Sequence, residues 1–203
     1  MKDDFKNKNI EFDYDNILGR ILFPGEIIQK KVKELGSSIT ADYKDKELVI
    51  ICILRGAVIF LTDLIRNIRL PFSIDFIGIS SYEINQPDSG IVKLTKDLEE
   101  NIYGKHVLIV EDIIDTGLTL SYLIRNLKSR EPLSIEVCTL IDREVRRIAN
   151  LKIKYCAFKI EEKYVVGYGL DYKQKYRNLE SIYELRTDAV KKDIEEMKST
   201  LNI

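Results

Sequence analysis

The chain has 203 residues, of which 45% are hydrophobic, so it is long enough for one α/β domain with a buried core and short for two. Acidic and basic residues nearly cancel, at a formal charge of −1, which leaves no basic surplus for nucleic acid or an anionic membrane. No apolar run reaches bilayer length, and Cys52, Cys138 and Cys156 are widely spaced in apolar runs. We therefore expect a cytoplasmic protein with reduced thiols and small-molecule partners, and no membrane association.

Predicted helices and strands alternate along the chain. An amphipathic helix begins behind Pro24 and Gly25, and the apolar run 48–54 predicts a buried strand. A second helix and a strand near 74–80 come next, followed by a polar stretch, 81–97, whose length is typical of a functional loop or lid. Further apolar runs cover 107–110, 135–141, 155–160 and 164–168, with a helical pattern after the first. This alternation predicts a doubly wound α/β core, a parallel sheet covered on both faces.

The segment 107–119 joins an apolar strand, acidic residues and a Gly/Thr turn to the start of a helix. The turn begins at Asp115, and its backbone amides lie at a helix N-terminus, where unpaired donors and the helix dipole attract phosphate. Thr116 and Thr119 can add hydroxyl donors, and Gly117 lets the backbone approach a ligand closely. The turn therefore predicts a phosphate site, and an ordinary strand and helix with an acidic loop is the alternative.

Two acids, Glu111 and Asp112, stand at the carboxyl end of the strand, in the crevice where open α/β sheets bind ligands. Carboxylates at that edge suit ribose hydroxyls. The run Glu-Asp-Ile-Ile-Asp-Thr-Gly resembles the binding signature for 5-phosphoribosyl 1-pyrophosphate (PRPP) of the type I phosphoribosyltransferases, and is most similar to their hypoxanthine-guanine branch. The resemblance implies that the acid pair binds the ribose hydroxyls and that residues 115–119, Leu118 included, bind the 5′-phosphate.

The resemblance extends from about residue 21 to residue 179. Leu54-Arg55-Gly56 matches the family's pyrophosphate loop, which binds through backbone amides and often has a cis peptide between its first two residues. Ser81 and Tyr82 match the start of the mobile loop that closes over PRPP and excludes water. Without the family, Arg55 and Gly56 more readily mark the end of a strand. For the polar stretch, the alternative is an exposed loop with no gating role.

The segment 163–177 resembles the part of the family that covers the nucleobase. The resemblance implies that Tyr164 stacks on the purine and that Val165 holds the base edge through backbone groups. It also implies that Asp171 helps to bind magnesium and that the Arg177 fork binds the pyrophosphate. Without the family, the tyrosines of this segment are as readily a helical or core aromatic stripe.

Arg143 stands where the family usually has a lysine that donates to the purine 6-oxo group. A guanidinium is a permanent donor that the amino group of adenine cannot accept, so the resemblance implies a preference for 6-oxopurines. The change from lysine to arginine leaves open the relative acceptance of hypoxanthine, guanine and xanthine. The alternative for Arg143 is a surface charge in a basic cluster with Arg146 and Arg147.

The function implied by the resemblance is a magnesium-dependent purine-salvage transferase. Hypoxanthine or guanine plus PRPP would give IMP or GMP and pyrophosphate. Asp115 would be the general base that takes the N7 proton as N9 attacks the anomeric carbon. The metal ligands would be Asp171, Glu111 and Asp112, with one ion carried in by PRPP.

The family's architecture implies one phosphoribosyltransferase domain over residues 1–203, in a homodimer or homotetramer. Its core would cover about 26–158, a small hood about 10–25 and 159–186, and a C-terminal helix about 187–201. Two other classes stay open. Some regulators of pyrimidine genes keep this fold and the PRPP loop but bind RNA, and in them the position of Asp115 lacks the acid; transferases for adenine or orotate are the second class.

Overall fold

The structure, a computed structural model, describes residues 17–81, 92–186 and 188. The predicted alternation of strands and helices is confirmed, and the strands form two sheets. None of the helices in this described part is long and apolar enough to cross a membrane. The elements are β1 (Leu18–Phe23), α1 (Gly25–Asp42), β2 (Leu48–Leu54), α2 (Val58–Arg66), β3 (Ser73–Ser81), β4 (Val92–Lys96), β5 (His106–Ile114), α3 (Leu118–Lys128), β6 (Ser134–Asp142), a 3₁₀ helix (Glu144–Arg146), β7 (Tyr155–Lys159), β8 (Val165–Val166) and β9 (Ile182–Leu185).

Six strands form the main sheet in the order β4-β3-β2-β5-β6-β7. Neighbouring strands pair in parallel, except that β4 pairs antiparallel with β3 at one edge. The chain leaves β2 towards β3 on one side and later returns to β5 on the other, so the strand order reverses between β2 and β5. Open α/β sheets bind ligands outside the carboxyl ends of their strands at such a reversal. The segments that follow Leu54 and Ile114 therefore start where a ligand is expected.

Alternate residues of the central strands enter two separate apolar cores, because successive side chains of a strand point to opposite faces. Ile50 and Leu108 pack in the core that α1 and α2 cover, whereas Ile51 and Ile109 pack in the core that α3 covers. Full burial of one such side chain stabilises the fold by about 1.5 to 3 kcal/mol. Both faces of the sheet are covered, which confirms the doubly wound class.

The second sheet, here called the hood sheet, consists of three antiparallel strands in the order β1-β9-β8. Residues just outside its strands β8 and β9 join it to the helices of the core by side-chain hydrogen bonds. Ser181 Oγ accepts the Gly25 amide at the start of α1 at 3.1 Å, and the Tyr168 hydroxyl donates to Asp63 of α2 at 2.7 Å. The exact extent of the predicted hood stays a prediction, and the predicted C-terminal helix lies outside the described residues apart from Asp188.

The interpretation of 81–97 as one irregular stretch is wrong at its far end, because Val92–Lys96 forms strand β4. Leu94 is half-buried against the α3 core, and its neighbours on either side are exposed. This two-residue alternation is typical of an edge strand. In the sequence, the lysines and the threonine of β4 make the segment resemble a polar loop. Ser81 is the last residue of β3, and Tyr82 lies outside the described residues, so the lid stays a prediction.

Asp75 is a buried carboxylate that fastens the segment before β5 to β3. Its oxygens accept the amides of Glu99 at 2.7 Å, Glu100 at 2.8 Å and Phe76 at 2.6 Å. Burial acts to raise the pKa of Asp75, but these hydrogen bonds and the Lys96 charge outweigh it, so the pKa lies below its ordinary value. The resulting stabilisation is present above the pKa of an unfolded aspartate and is lost as the pH falls through the lower, folded pKa.

Asp75→Asn should lower the free energy of unfolding near neutral pH by about 1 to 3 kcal/mol, because an amide group would turn a donor towards backbone donors. Urea unfolding of the two proteins over a range from about pH 7 to about pH 2 should show this difference shrinking as the wild-type carboxyl is protonated. The exposed Glu161→Gln serves as the control and should change little. A difference of constant size across the range would contradict a role for the charge.

Candidate active site

The predicted phosphate turn lies between the end of β5 and the start of α3. Gly117 precedes helix α3 with φ of 78°, a left-handed conformation that favours glycine. A Cβ at this position would also lie 2.6 Å from a Leu151 methyl carbon. Among the described residues, the backbone amides of Thr116, Gly117 and Thr119 donate to no acceptor. Free amides at the start of a helix are the donors that a phosphate needs.

Two adjoining cavities share the residues Ile113 and Asp115. The first has a volume of about 190 Å³ and lies over the phosphate turn. The second has a volume of about 220 Å³ and lies under the hood sheet. A ligand that filled both would pass the Asp115 carboxylate. The first cavity is lined by Ile53, Glu111, Thr116, Gly117, Thr119 and others of the turn, and the second by Asp112, Arg143, Tyr164, Val165, Leu170, Asp171, Tyr172 and Leu185.

The acid pair stands between these cavities, with Glu111 lining the first and Asp112 the second. Burial and the adjacent Asp112 raise the pKa of Glu111 well above its ordinary value, and burial also raises the pKa of Asp112. The Oε2 atom of Glu111 is buried and has no hydrogen-bond partner within the described part of the chain. A buried, unpaired carboxylate oxygen is destabilising until a hydroxyl or a cation meets it, so this pair is suited to binding.

Leu54-Arg55-Gly56 begins at the last residue of β2, and Gly56 lies against the Asp112 carboxylate. The Leu54–Arg55 peptide is cis, as the resemblance implies. A Cβ on Gly56 would lie 1.5 Å from Asp112 Oδ2, and a Cβ on Gly169 would lie 2.1 Å from the Gly56 carbonyl oxygen. The turn Gly167–Leu170 is here called the hood turn. The absence of both side chains lets the loop after β2 touch Asp112 on one side and the hood turn on the other.

Arg143 is buried beside Asp115, the predicted general base. Its interpretation as a surface charge is therefore wrong. Only 8% of its side chain is exposed, its Nη1 lies 3.2 Å from Asp115 Oδ2, and its Nη2 donates to the Lys163 carbonyl. Arg146 Nη1 lies 3.2 Å from the same carboxylate oxygen. The other oxygen, Asp115 Oδ1, is buried with no partner among the residues described. Two guanidinium groups therefore anchor one oxygen of Asp115, and the other oxygen is left without a partner within the described part of the chain.

Tyr164 and Val165 line the second cavity together with Asp115 and Arg143. Tyr164 is 52% exposed, which leaves its ring free for a planar ligand to stack on. The Leu185 amide donates to the Tyr164 carbonyl, so Val165, opposite Glu184, occupies a non-hydrogen-bonded position of the ladder. Because β8 is an edge strand, the amide and carbonyl of Val165 point away from β9 and can meet the edge of a ligand.

Asp171 and Arg177 form an ion pair at the rim, with Oδ1 and Nη2 2.6 Å apart. Arg177 Nη1 also donates to the Gly169 carbonyl at 2.7 Å. In the ranges that the structure describes, no three His, Cys, Asp or Glu side chains are grouped so as to hold a metal ion. Mg²⁺ is often bound by one or two carboxylates together with substrate phosphates. Asp112 and Asp171 both line the second cavity, so two carboxylates are available there to a ligand that carries phosphates.

Comparisons with known proteins match this arrangement over most of the chain. A family model described as phosphoribosyl transferase domain matches residues 21–173. The hypoxanthine-guanine-xanthine phosphoribosyltransferase of Tritrichomonas foetus is 46% identical over 163 residues, which cover 80% of this chain and 88% of that protein. The chain belongs to the phosphoribosyltransferase family.

Further relatives place this phosphoribosyltransferase in the hypoxanthine-guanine branch. The hypoxanthine-guanine phosphoribosyltransferase of Bacillus subtilis is 44% identical over 167 residues, which cover 82% of this chain and 93% of that protein. A crystal structure of a hypoxanthine phosphoribosyltransferase from Staphylococcus aureus matches with a TM-score of 0.84 and 43% identity, over 89% of this chain and 98% of that one. The fold and the family that the sequence motifs imply are thus confirmed.

Among the residues of this phosphoribosyltransferase site that sequence reasoning missed are Arg146 and Gly169. Arg146 contacts Asp115, but in the sequence it is one member of a basic cluster, a pattern typical of a solvated surface. Gly169 has φ of 99° and packs on the Gly56 carbonyl. The sequence Gly-Tyr-Gly that ends at this residue predicts a turn. It does not indicate that the turn packs against the loop after β2.

Gly56→Ala should destabilise this phosphoribosyltransferase by about 1 to 3 kcal/mol, the usual cost of overpacking, because the new methyl group would displace the Asp112 carboxylate. In an Asp112→Ala background the same substitution should cost much less, since the clashing atoms are gone. Urea unfolding of the wild type, both single variants and the double variant measures the coupling. Equal costs in both backgrounds would show that Asp112 does not limit this position.

Proposed function

We propose that this chain is a purine-salvage transferase that converts hypoxanthine or guanine and PRPP to IMP or GMP and pyrophosphate. The observation that carries the proposal is the place of Asp115, a residue that lines both the cavity over the phosphate turn and the cavity lined by Tyr164 and Arg143. A sugar phosphate in the first cavity and a purine in the second would meet at this residue. The names of the relatives support the 6-oxopurine class. The acid at this position favours a transferase, which moves the phosphoribosyl group to a purine, over the alternative of an RNA-binding regulator.

PRPP would bind across the carboxyl ends of β5 and β2. The free amides and the threonine hydroxyls of residues 115–119 would donate to the 5′-phosphate. Glu111 and Asp112 would accept the ribose hydroxyls, which satisfies the oxygen that has no partner in the free protein. The amides of residues 54–56 and the Arg177 guanidinium would bind the pyrophosphate, whose negative charge grows as it leaves.

The purine would lie between the Tyr164 ring and the Arg143 side chain. Arg143 Nε is buried and lacks an acceptor among the described residues, so it is a donor available to the 6-oxo group. Backbone groups of Val165 would meet the edge of the base. Asp115 Oδ1 would take the N7 proton while N9 forms its bond to the anomeric carbon and the bond from that carbon to pyrophosphate breaks. Contacts from Arg143 and Arg146 to Oδ2 would keep the carboxylate in place.

Magnesium is part of the proposal, because Asp171 and the acid pair offer carboxylates next to where the phosphates would lie. When bound, the ion would neutralise charge on the leaving pyrophosphate. Asp171 is held for that role from both sides, since Arg177 pairs with one of its oxygens and the Gln174 amide donates to the other at 2.9 Å.

A cytoplasmic location and a homodimer or homotetramer complete the proposal. The three cysteines are free thiols, and Cys52 and Cys138 are buried, which suits a reducing compartment. Burial raises the pKa of Cys52 to about 12, so this thiol is not a nucleophile near neutral pH. The oligomeric state is taken from the usual assembly of the family.

Asp115→Asn should lower kcat for hypoxanthine by about 10² to 10⁴, the usual contribution of a general base, while leaving PRPP affinity nearly unchanged. Asn retains the shape and the contacts of the side chain but cannot take the proton. Pyrophosphate release gives kcat, and direct titration with PRPP gives the affinity. Asp97→Asn, which breaks a surface pair with Arg130, is the control. A variant that kept most of its kcat would show that the base is another group.

Arg143→Met should lose at least about tenfold in kcat/KM with both hypoxanthine and guanine, because a donor to the buried 6-oxo group is worth about 1.5 to 3 kcal/mol. Arg143→Lys should retain substantial activity, and adenine should be a very poor substrate for the wild type since its amino group meets a donor. Initial rates with the three bases test this, with the exposed Arg125→Met as the control. Full activity of Arg143→Met would place the 6-oxo donor elsewhere.

A further inference from the structure

The outer side of the phosphate turn is held by the segment 143–149, which follows β6. The carbonyl oxygen of Ile114 accepts the Arg143 amide at 2.9 Å. The carbonyl oxygen of Thr116 accepts two amides of the same segment, those of Ile148 and Ala149, each at 3.0 Å. This segment therefore bonds the turn at both ends, and none of its residues is among those that line the first cavity.

Arg147 supplies the contact in the middle of the turn. Its Nε donates to the Asp115 carbonyl at 3.1 Å, and its Nη2 lies 3.4 Å from the Ile114 carbonyl. The same Nη2 donates to the carboxylate of Asp142. Only 14% of the Arg147 side chain and 7% of the Asp142 side chain are exposed. Three consecutive carbonyls, from Ile114 to Thr116, are thus occupied by donors.

These contacts determine where the amides of the turn point. The peptide unit is planar and trans, so its N–H and C=O groups point in opposite directions. Donors that fix the carbonyls of Asp115 and Thr116 on the outside direct the amides of Thr116 and Gly117 towards the cavity. The Arg147 side chain also lies directly behind the turn, since a Cβ on Gly117 would be 3.1 Å from Arg147 Cδ.

We propose that Arg147 is a positioning residue for the 5′-phosphate, an inference that rests on the proposed function. Its guanidinium is engaged with two carbonyls and a carboxylate, so it acts on the phosphate through the backbone amides. A planar fork can span the Ile114 and Asp115 carbonyls and Asp142 together, whereas a lysine ammonium is a single point of charge. Arg147 therefore sets the preorganisation of the phosphate site.

The test compares a ligand that has the phosphate with one that lacks it. Arg147→Met should raise KM for PRPP and weaken the binding of IMP, each by about 10- to 100-fold. The reason is that displacing binding groups such as the turn amides by about 1 Å has effects of that order. Inosine affinity should change little, so the ratio of IMP to inosine affinity should fall. Arg147→Lys should lie between the wild type and Arg147→Met. Competition by IMP and by inosine, with melting temperatures for every variant, provides the measurement.

Arg130→Met is the matched control, because Arg130 also pairs with an aspartate, at 2.7 Å from Asp97 and away from the turn. It should leave the IMP-to-inosine ratio unchanged. If Arg147→Met lowers the melting temperature but keeps the ratio, Arg147 is only structural and the inference is wrong. If that variant does not fold, the same measurement is made with Arg147→Lys and Asp142→Asn. An unchanged ratio of IMP affinity to inosine affinity in both variants would overturn the inference.

The wild-type protein separates the inference from the proposed function. A wild type that prefers IMP to inosine but transfers no purine would overturn the proposed activity, and a fall of the ratio in Arg147→Met would still support the positioning role. A wild type that binds IMP and inosine equally would show that no phosphate is held at the turn, which overturns the inference directly.

Discussion

The parallel pairing of β2 with β5 is the constraint on which the rest of the molecule depends. It places the chain ends after Leu54 and Ile114 side by side, and the reversal of strand order opens a crevice between them. The two apolar cores hold this pair rigid from both faces. Pairing of β6 with β5 then brings the segment 143–149 behind the phosphate turn. The loops that follow Leu54 and Ile114 need little stability of their own, because the sheet fixes the positions at which they begin.

The free site is electrostatically incomplete, although the chain as a whole is nearly neutral. Within the described ranges, four buried side-chain polar atoms lack a hydrogen-bond partner, and three of them belong to Glu111, Asp115 and Arg143. Leaving such atoms unpaired costs stability, which a structure tolerates where a ligand supplies the missing groups. Two of these atoms are acceptors and one is a donor, and the residues that carry them line the two cavities. A ligand that carries both donors and an acceptor would complement them.

Local periodicity was enough to predict the parallel core and the phosphate turn, because strand, turn and helix there are contiguous in the chain. It failed for β4, where Leu94 alternates with polar residues and the strand reads as a loop. The hood sheet was also beyond reach in detail, since Leu18 pairs with Leu185 and only the folded core brings them together. Among the site residues, Arg146 and Arg147 were out of reach because their partners are backbone or distant side chains, and composition does not encode such contacts.

The bare contact of Gly169 with the Gly56 carbonyl joins the hood turn to the loop after β2 with no side chain in between. Side chains normally absorb small displacements by rotating, and backbone packed on backbone has no such freedom. The hood turn, which would cover the nucleobase, and the loop after β2, which would bind the leaving pyrophosphate, therefore cannot move independently of each other. A side chain at Gly169 would displace the Gly56 carbonyl, and one at Gly56 would displace the Asp112 carboxylate. Both positions are therefore restricted to glycine for steric reasons that apply before any catalytic requirement does.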